Sequence, residues 1–288
     1  MDRARRSLLR LCVSRSWSRG SLVVLDPCER PVFLGVSCRV PSSARPARPG
    51  NMEPGRGMEE RRIRVLTIDT NGPGMLDGSS NAQVTKVLGE AERVLGEGGV
   101  VALPTDTVYG LACLAQRTSA LKTLYTIKSR VEAKPLAICL AEPSQVYRFC
   151  NVTISTALLN QLLPGPVTLV FERSSLLNPE LNPYTQLVGV RVPRHLLVQE
   201  LVRRCGGPLA LTSANLSGKP SCLCVEEFRP LWPSLSLVID GGPSSSNHLG
   251  STVIDLSSPG CFNVLRHGCA YEETMVLLEH EHGLIEKH

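Results

Sequence analysis

The sequence predicts an α/β fold whose sheet is too irregular in strand spacing to be simply doubly wound. Short apolar runs, which predict buried strands, alternate along the chain with longer amphipathic segments, which predict helices. Glycine and proline separate these segments and mark where each one ends. The chain has no internal repeat, and its 288 residues can form one large domain or two small ones.

The first predicted element is a helix that begins near Asn81, where regular structure is expected to start. Apolar residues recur at helical spacing from Val84 to Leu95, and a glycine-rich segment at 96–99 ends the helix. The next run, 100–103, is apolar, too short for a helix and closed by a proline. It therefore predicts a buried strand.

The remaining elements follow from the same two patterns. Strands are predicted at 136–140, 167–171, 187–192, 209–211, 235–239, 251–256 and 264–266. Helices are predicted at 118–130, 144–149, 155–163, 196–204, 225–231 and 272–278. Two longer segments, 174–186 and 243–250, are predicted to be loops, the second of them polar and mobile.

The net charge of +5 is concentrated in the first 50 residues, which hold ten arginines and no lysine against three acidic residues. The rest of the chain therefore has a net charge of −2, which argues against a basic nucleic-acid surface over the whole body. An arginine- and serine-rich, acid-poor leader is typical of a mitochondrial transit peptide, and a leader without a targeting role is the alternative. The predicted divisions are a leader at 1–55, a linker at 56–82, a globular domain at 83–274 and a charged tail at 275–288.

Cysteine usage and the lack of standard motifs limit the possible chemistry. The eleven cysteines form no CxxC pair and no cysteine–histidine spacing suited to zinc, so most are predicted to be reduced thiols in a protein of the cytoplasm and mitochondrion. No apolar run approaches the ~18 residues needed to span a membrane. Gly218-Lys219 is followed by proline, and no GxGxxG follows a strand, so a nucleotide site must have another design.

Polar side chains at the ends of predicted strands form the candidate site. Thr105 and Thr107 follow the 100–103 strand, and Lys128 and Arg130 close the helix after it. Hydroxyls and cations placed in this way suit a polyanionic ligand at the carboxyl edge of an α/β sheet. A polar turn and a helix end favoured by the helix dipole are the alternative. Further candidates at sheet edges are Lys134, Arg191, Ser213, Asn215, Ser251, Thr252 and Arg266.

Eight short strings occur in order over about residues 83–274. They are LPTDTVYGL, KSRVEAKPL, LLPGPVTLV, VGVRVP, LTSANLSG, VIDGG, GSTVIDL and the short strand that ends at Arg266. Each string alone is a weak signal. Together, their order and spacing resemble those of the YrdC family of L-threonylcarbamoyladenylate synthases.

The resemblance implies a twisted mixed sheet with flanking helices and a concave face that binds ATP and L-threonine. It implies a nucleotidyltransferase that joins L-threonine, bicarbonate and ATP, with Mg²⁺, into threonylcarbamoyl-AMP and pyrophosphate. A tRNA threonylcarbamoyltransferase complex is the expected downstream partner, and it moves the threonylcarbamoyl group to an adenosine next to the anticodon. A weak contact with tRNA is also expected.

The resemblance also assigns roles to individual residues. It places Thr107, Arg191 and Ser251 around threonine, where the Arg191 guanidinium suits the substrate carboxylate. It assigns catalysis to Lys128, Arg130, Ser213 and Asn215, and ATP binding to the same four residues with Lys134, Ser221 and Arg266. No metal ligand is assigned to a protein side chain. Cys139, where many relatives have histidine, receives no role.

Two other functions are compatible with the sequence. An RNA-binding module could use the same cationic face without catalysis, although the near-neutral body argues against it. A regulatory protein could keep the fold without the activity, although the presence of Lys128 and Arg130 argues against that. Pyrophosphate release from ATP in the presence of threonine and bicarbonate distinguishes the enzyme from both.

Overall fold

A mixed sheet of twelve strands forms the centre of the described structure and confirms the predicted α/β class. The computed structural model describes residues 63–68, 80–128, 135–216, 218–244 and 247–287. All of these residues belong to one compact unit, Met58–His288. The predicted leader lies outside the described residues, as do Arg130 and Lys134.

The elements are numbered in chain order. The strands are β1 Val65–Thr67, β2 Val101–Leu103, β3 Gly110–Leu114, β4 Ala137–Cys139, β5 Cys150–Asn151, β6 Val167–Arg173, β7 Leu187–Arg191, β8 Leu209–Ser213, β9 Leu237–Asp240, β10 Thr252–Asp255, β11 Cys261–Arg266 and β12 Ile285–Glu286. The α-helices are α1 Ser80–Gly96, α2 Thr118–Ile127, α3 Val146–Phe149, α4 Thr156–Leu162, α5 Leu196–Cys205 and α6 Tyr271–Met275. The 3-10 helices are Pro143–Gln145 and Val225–Ser234, and Val276–Glu281 is a π-helix. None of the described helices is long and apolar enough to cross a membrane.

The strand order explains the irregular strand spacing of the sequence. Across the sheet the order is β1-β9-β2-β3-β8-β4-β7-β6-β10-β11-β12, and β5 pairs with β6 beside this path. Parallel pairs such as β4 with β7 and β6 with β10 adjoin antiparallel pairs such as β3 with β8 and β6 with β7. Parallel neighbours need long crossovers and antiparallel neighbours do not, so connections of both lengths occur.

The two faces of the sheet are covered differently, because successive side chains on a strand point to opposite faces. One face, which includes Ile138 and Val190, packs against α2, α3 and α4. On the other face, α1 and α5 cover a cluster that includes Leu103 and Ile239. Among the described residues, this second cluster takes none from β6, β7 or β10.

Four strands, β1, β3, β5 and β12, are not predicted by the sequence. β1 pairs in parallel with β9 inside the range predicted as a linker, so regular structure begins before Asn81. This strand has three residues and none is buried, so it shows no buried apolar run. β3 is buried between β2 and β8, but its sequence GLACL is rich in residues that are depleted in strands.

The C-terminal residues also differ from the prediction of a charged tail at 275–288. Leu278 is fully buried, and Ile285–Glu286 pairs in parallel with Cys261 and Phe262 of β11. The charged residues that suggested a tail lie on the exposed side of a packed segment. The helix predicted at 225–231 is a longer 3-10 helix, Val225–Ser234, which contains two prolines.

Candidate functional site

A cavity of about 340 Å³ lies on the part of the second sheet face that α1 and α5 leave uncovered. Strands β4, β6, β7 and β10 line it, with further walls from β8 and β11. Its lining includes Ala137, Thr168, Gly189, Arg191, Leu211 and Ser251. On the strands, these positions alternate with core residues of the opposite face, such as Ile138 and Val190. The concave face that the resemblance implies is therefore present.

Glycine provides the space for this cavity at two positions. A Cβ atom added at Gly189 would lie 2.9 Å from Cγ2 of Thr168 and 3.6 Å from Cβ of Ala137. A Cβ atom added at Gly110 would lie 2.8 Å from Cδ1 of Leu211. A larger residue at either position would displace side chains that form the wall.

Arg191, the last residue of β7, is the charged centre of the cavity wall. Its Nη2 forms an ion pair with Asp106 and donates to Oγ1 of Thr107 at 2.6 Å. The Arg191 and Asp106 side chains are each 8% exposed. The second Asp106 oxygen accepts the backbone N–H of Arg194 at 2.8 Å. The pair is thus fixed, while the buried Nε of Arg191 has no hydrogen-bond partner among the described residues.

The turn after β2 is held in place by its own hydroxyl groups. Oγ1 of Thr105 donates to the Val108 carbonyl at 2.7 Å and accepts the N–H of Thr107 at 3.2 Å. Thr107 is fully buried and accepts from Arg191, so it positions that guanidinium. A direct contact between Thr107 and threonine stays a prediction.

A second guanidinium, that of Arg266 at the end of β11, lies at the cavity rim. Its Nη2 donates to the Ser251 carbonyl at 2.8 Å and to Ser251 Oγ at 3.0 Å. Oγ of Ser251 lies 2.7 Å from Oγ1 of Thr168. Arg266, predicted to bind ATP, therefore contacts Ser251, predicted to bind threonine.

The backbone around Ser251 is held by the segment that follows β11. The N–H of Ala270 donates to Oγ1 of Thr252 at 3.2 Å. A Cβ atom added at Gly268 would lie 2.2 Å from the backbone nitrogen of Thr252. This close backbone approach requires glycine and fixes the position of the Ser251 hydroxyl.

The cavity is electrostatically positive. Partial burial of its guanidinium against Ser251, and after it the charge of Arg191, lower the pKa of Arg266 at the rim. The described ion pair with Asp106 balances one of the two cations. An anionic ligand would therefore be attracted to the remaining positive charge.

The Lys128 ammonium group binds the loop after β8. It follows the last residue of α2 and is 3% exposed. Its Nζ donates to the Ser213 carbonyl at 2.8 Å, to Asn215 Oδ1 at 3.1 Å and to the Asn215 carbonyl. The hydroxyl of Ser213 donates to Asn215 Oδ1. The structure thus brings together three of the four residues predicted as catalytic, with Lys128 buried against the loop.

The remaining predicted ATP residues are placed in part. Ser221 lines the cavity, and its carbonyl accepts from Nδ1 of His248 at 2.7 Å. Two loops, at 218–222 and 247–250, therefore meet at the cavity edge. The assignments of Arg130 and Lys134 to the triphosphate stay predictions because these residues lie outside the described residues.

Tyr109 and Thr168 line the cavity but receive no role from the sequence. The Tyr109 hydroxyl donates to the Gly242 carbonyl at 2.7 Å and accepts the Gly241 N–H at 3.0 Å, which joins the LPTDTVYGL and VIDGG strings. Thr168 is a single hydroxyl residue within the apolar run of β6. A hydroxyl residue in an otherwise apolar buried strand could have indicated a site residue at Thr168. The same pattern also fits a threonine of the core.

Cys139, to which the resemblance assigns no role, packs in the core beside the cavity. It is fully buried among the residues that α1 and α5 cover, not in the cavity lining. Burial raises the pKa of the Cys139 thiol to about 12, so it stays protonated at neutral pH.

Comparison with known proteins gives related sequences. The family model Sua5_yciO_yrdC, described as telomere recombination, matches residues 93–268. A Bos taurus protein named threonylcarbamoyl-AMP synthase is 52% identical over 230 residues, which cover 78% of this chain and 83% of the bovine protein. A Homo sapiens protein of the same name is 49% identical over 253 residues, which cover 86% of each chain.

Solved structures give a similar result. Pyrococcus abyssi Sua5 complexed with L-threonine superposes with a TM-score of 0.64 at 28% identity. The match covers 77% of this chain and 62% of the archaeal protein, so this chain spans about three-fifths of the archaeal protein's length. Escherichia coli YciO matches with a TM-score of 0.62 at 22% identity over 72% of this chain and 96% of YciO, which shows a shared fold.

Proposed function

Because the chain belongs to the Sua5, YciO and YrdC family, we propose that it is an enzyme that makes threonylcarbamoyl-AMP for the modification of tRNA. The reaction is a nucleotidyl transfer that consumes L-threonine, bicarbonate and ATP and releases pyrophosphate. The observation that carries this proposal is the cavity that holds Arg191, Ser251 and Arg266 together. Two guanidinium groups and several hydroxyls suit an amino acid and a nucleotide that carry negative charge.

The threonine half of the site is built on Arg191. Its guanidinium is fixed by Asp106 and Thr107, so little side-chain freedom would be lost when a ligand binds. Its buried Nε still lacks an acceptor among the described residues. A substrate carboxylate is the acceptor that a fixed guanidinium fits best.

The nucleotide half of the site is the loop that Lys128 holds. Ser213 lines the cavity at the start of this loop, and Lys128 fixes its carbonyl and that of Asn215. Arg266 supplies an exposed cation on the same cavity. Arg130 and Lys134 complete the triphosphate site by resemblance.

The reaction needs no protein nucleophile. The amine of threonine and bicarbonate form a carbamate with loss of water, and a carbamate oxygen attacks the α-phosphorus of ATP. The bond from that phosphorus to the bridging oxygen breaks, and its electron pair leaves with pyrophosphate. Two anions must be brought together and the leaving charge neutralised, which positioned cations accomplish.

Mg²⁺ would enter with ATP rather than occupy a site made by the protein. The described residues contain no group of three histidine, cysteine, aspartate or glutamate side chains suited to a metal. Asp106 is already engaged by Arg191 and the Arg194 N–H. ATP phosphate oxygens are the ligands that Mg²⁺ prefers, so we assign it no protein ligand and no step.

A threonylcarbamoyltransferase complex would take up the product, because a mixed carbamic–phosphoric anhydride is reactive toward water and must be consumed by an acyl transfer. We also propose that the protein acts in the cytoplasm and the mitochondrion, on the strength of the arginine-rich composition of residues 1–50.

The test is pyrophosphate release by the full chain. We expect release from ATP and Mg²⁺ when both L-threonine and bicarbonate are present, and only background release when either is omitted. Mass spectrometry should detect threonylcarbamoyl-AMP in the complete mixture. Equal release with and without threonine contradicts the proposed reaction.

A further inference from the structure

Two buried hydroxyl groups meet on the wall of the cavity. Thr168 on β6 is 6% exposed, Ser251 is 2% exposed, and both line the cavity. Their oxygen atoms lie 2.7 Å apart. Arg266 donates to the Ser251 oxygen from the rim.

The hydrogen atoms of this pair do not all have acceptors. Each hydroxyl has one hydrogen to donate, and the bond between Thr168 and Ser251 uses one of the two. Arg266 acts only as a donor, so it cannot accept the other. Among the described residues, the Thr168 hydroxyl has no hydrogen-bond partner except the Ser251 hydroxyl. One buried O–H is therefore left facing the cavity, and buried donors are rarely left without an acceptor.

The other side of Thr168 is apolar and narrow. Its methyl group faces Gly189, where an added Cβ would come within 2.9 Å of it. Ala137 lies next to the same glycine. A hydroxyl beside a small apolar surface matches a ligand side chain that carries one hydroxyl and one methyl group.

We propose that Thr168 is a specificity-determining residue that contacts the side chain of the amino-acid substrate. The Thr168–Ser251 pair would donate to and accept from the substrate β-hydroxyl, and the surface at Gly189 and Ala137 would pack against its methyl group. This inference rests on the proposed function, and it adds a substrate contact to Thr107, Arg191 and Ser251.

The contact predicts an unequal discrimination among amino acids. L-Valine has the shape of L-threonine but leaves the buried hydroxyl without a partner. In sites built to bind a hydroxyl, this lowers kcat/KM on the order of 10⁴-fold. L-Serine keeps the hydroxyl and lacks only a methyl group, and this loss lowers kcat/KM roughly 10- to 200-fold. The enzyme should therefore reject valine more strongly than serine.

The test compares Thr168→Val, Thr168→Ser and wild type by kcat/KM for L-threonine, L-serine and L-valine in the pyrophosphate assay. In Thr168→Val we expect kcat/KM for threonine to fall about ten- to a hundredfold and the preference for threonine over valine to fall with it. Thr168→Ser should keep the preference over valine and lose part of the preference over serine. ATP binding alone, measured by calorimetry, should be unchanged in both variants.

Thr123→Val is the matched control, because Thr123 lies on the exposed side of α2 and its hydroxyl donates to the Ser119 carbonyl. It should leave all three kcat/KM values at the wild-type level. An unchanged preference for threonine over valine in Thr168→Val contradicts the proposal, as does an equal loss for all substrates. If Thr168→Val does not fold, an unchanged threonine-over-serine preference in Thr168→Ser contradicts it. Wild type that shows no threonine-dependent release overturns the proposed function itself, whereas a failure confined to the variants overturns this inference alone.

Discussion

One face of the central sheet is used in two different ways. Where α1 and α5 cover it, the strands carry large aliphatic residues such as Leu103 and Ile239, both fully buried. Where these helices are absent, the same face carries Gly189, Thr168 and Arg191 and lines the cavity. The boundary runs along β4, where Ala137 lines the cavity and Cys139 packs under the helices.

The comparison shows that backbone geometry does not distinguish the two halves. Both follow the same two-residue alternation, and only the size and polarity of the side chains differ. Apolar burial under the helices stabilises the fold, whereas small, hydroxyl and cationic residues leave room and charge for a ligand. Substitutions in the covered half should therefore change stability, and those in the open half should change ligand binding.

Arg191→Ala should have the largest effect. Arg191 lies in the open half, but its substitution should change both stability and ligand binding. The substitution leaves Asp106 buried without its ion-pair partner, so the free energy of unfolding should fall by about 3–5 kcal/mol. Threonine binding should also be lost, because the substrate carboxylate has no guanidinium to meet. Denaturant unfolding and calorimetry with each ligand measure the two effects.

Arg191→Lys is the matched variant for this prediction. Lysine keeps the charge beside Asp106 but lacks the planar fork that binds a carboxylate through two hydrogen bonds. Stability should recover in part while threonine binding stays weak. Wild-type stability in Arg191→Ala would show that the ion pair contributes little to the fold.

Leu95→Ala tests the covered half. Leu95 on α1 is fully buried, so the truncation should lower the free energy of unfolding by about 2–5 kcal/mol. The dissociation constant of threonine should not change in the protein that remains folded. Leu176→Ala, at a residue that is 55% exposed, is the control and should change the unfolding free energy by less than about 0.5 kcal/mol. A large change in threonine affinity for Leu95→Ala would show that the two halves are coupled.

The sequence predicts the positions of most elements because apolar runs and glycine or proline breaks are local signals. It fails where the signal is not local. β1 is a short edge strand without a buried residue, and its place in the sheet depends on its pairing with β9. β3 has the composition of a poor strand, and it is stabilised by β2 on one side and by β8 on the other. These two neighbours are far from each other in the chain.

The same limit applies to the site. The residue types at strand ends identify Arg191, Ser213, Ser251 and Arg266 as cavity residues. Their partners are not predictable, because the contact between Arg191 and Thr107 spans 84 positions. Lys128 illustrates the consequence: its place at a helix end suggests an exposed cation, and its described contacts bury it against a loop.

Arg266→Ala should have the smallest effect on stability. It tests how the threonine half and the nucleotide half of the site are joined. Arg266 is exposed at the rim, so the loss of its contacts with Ser251 should lower the free energy of unfolding by no more than about 1 kcal/mol. ATP affinity should fall roughly ten- to a hundredfold, since one charge-assisted contact is removed.

Arg203→Ala on α5 is the control, because Arg203 is an exposed arginine paired with Glu200 in the covered half. The ATP affinity of this variant should equal that of wild type. Calorimetry with ATP alone and with threonine alone separates the ligands. If threonine affinity falls and ATP affinity does not, Arg266 acts through the Ser251 hydroxyl, and it belongs to the threonine half of the site.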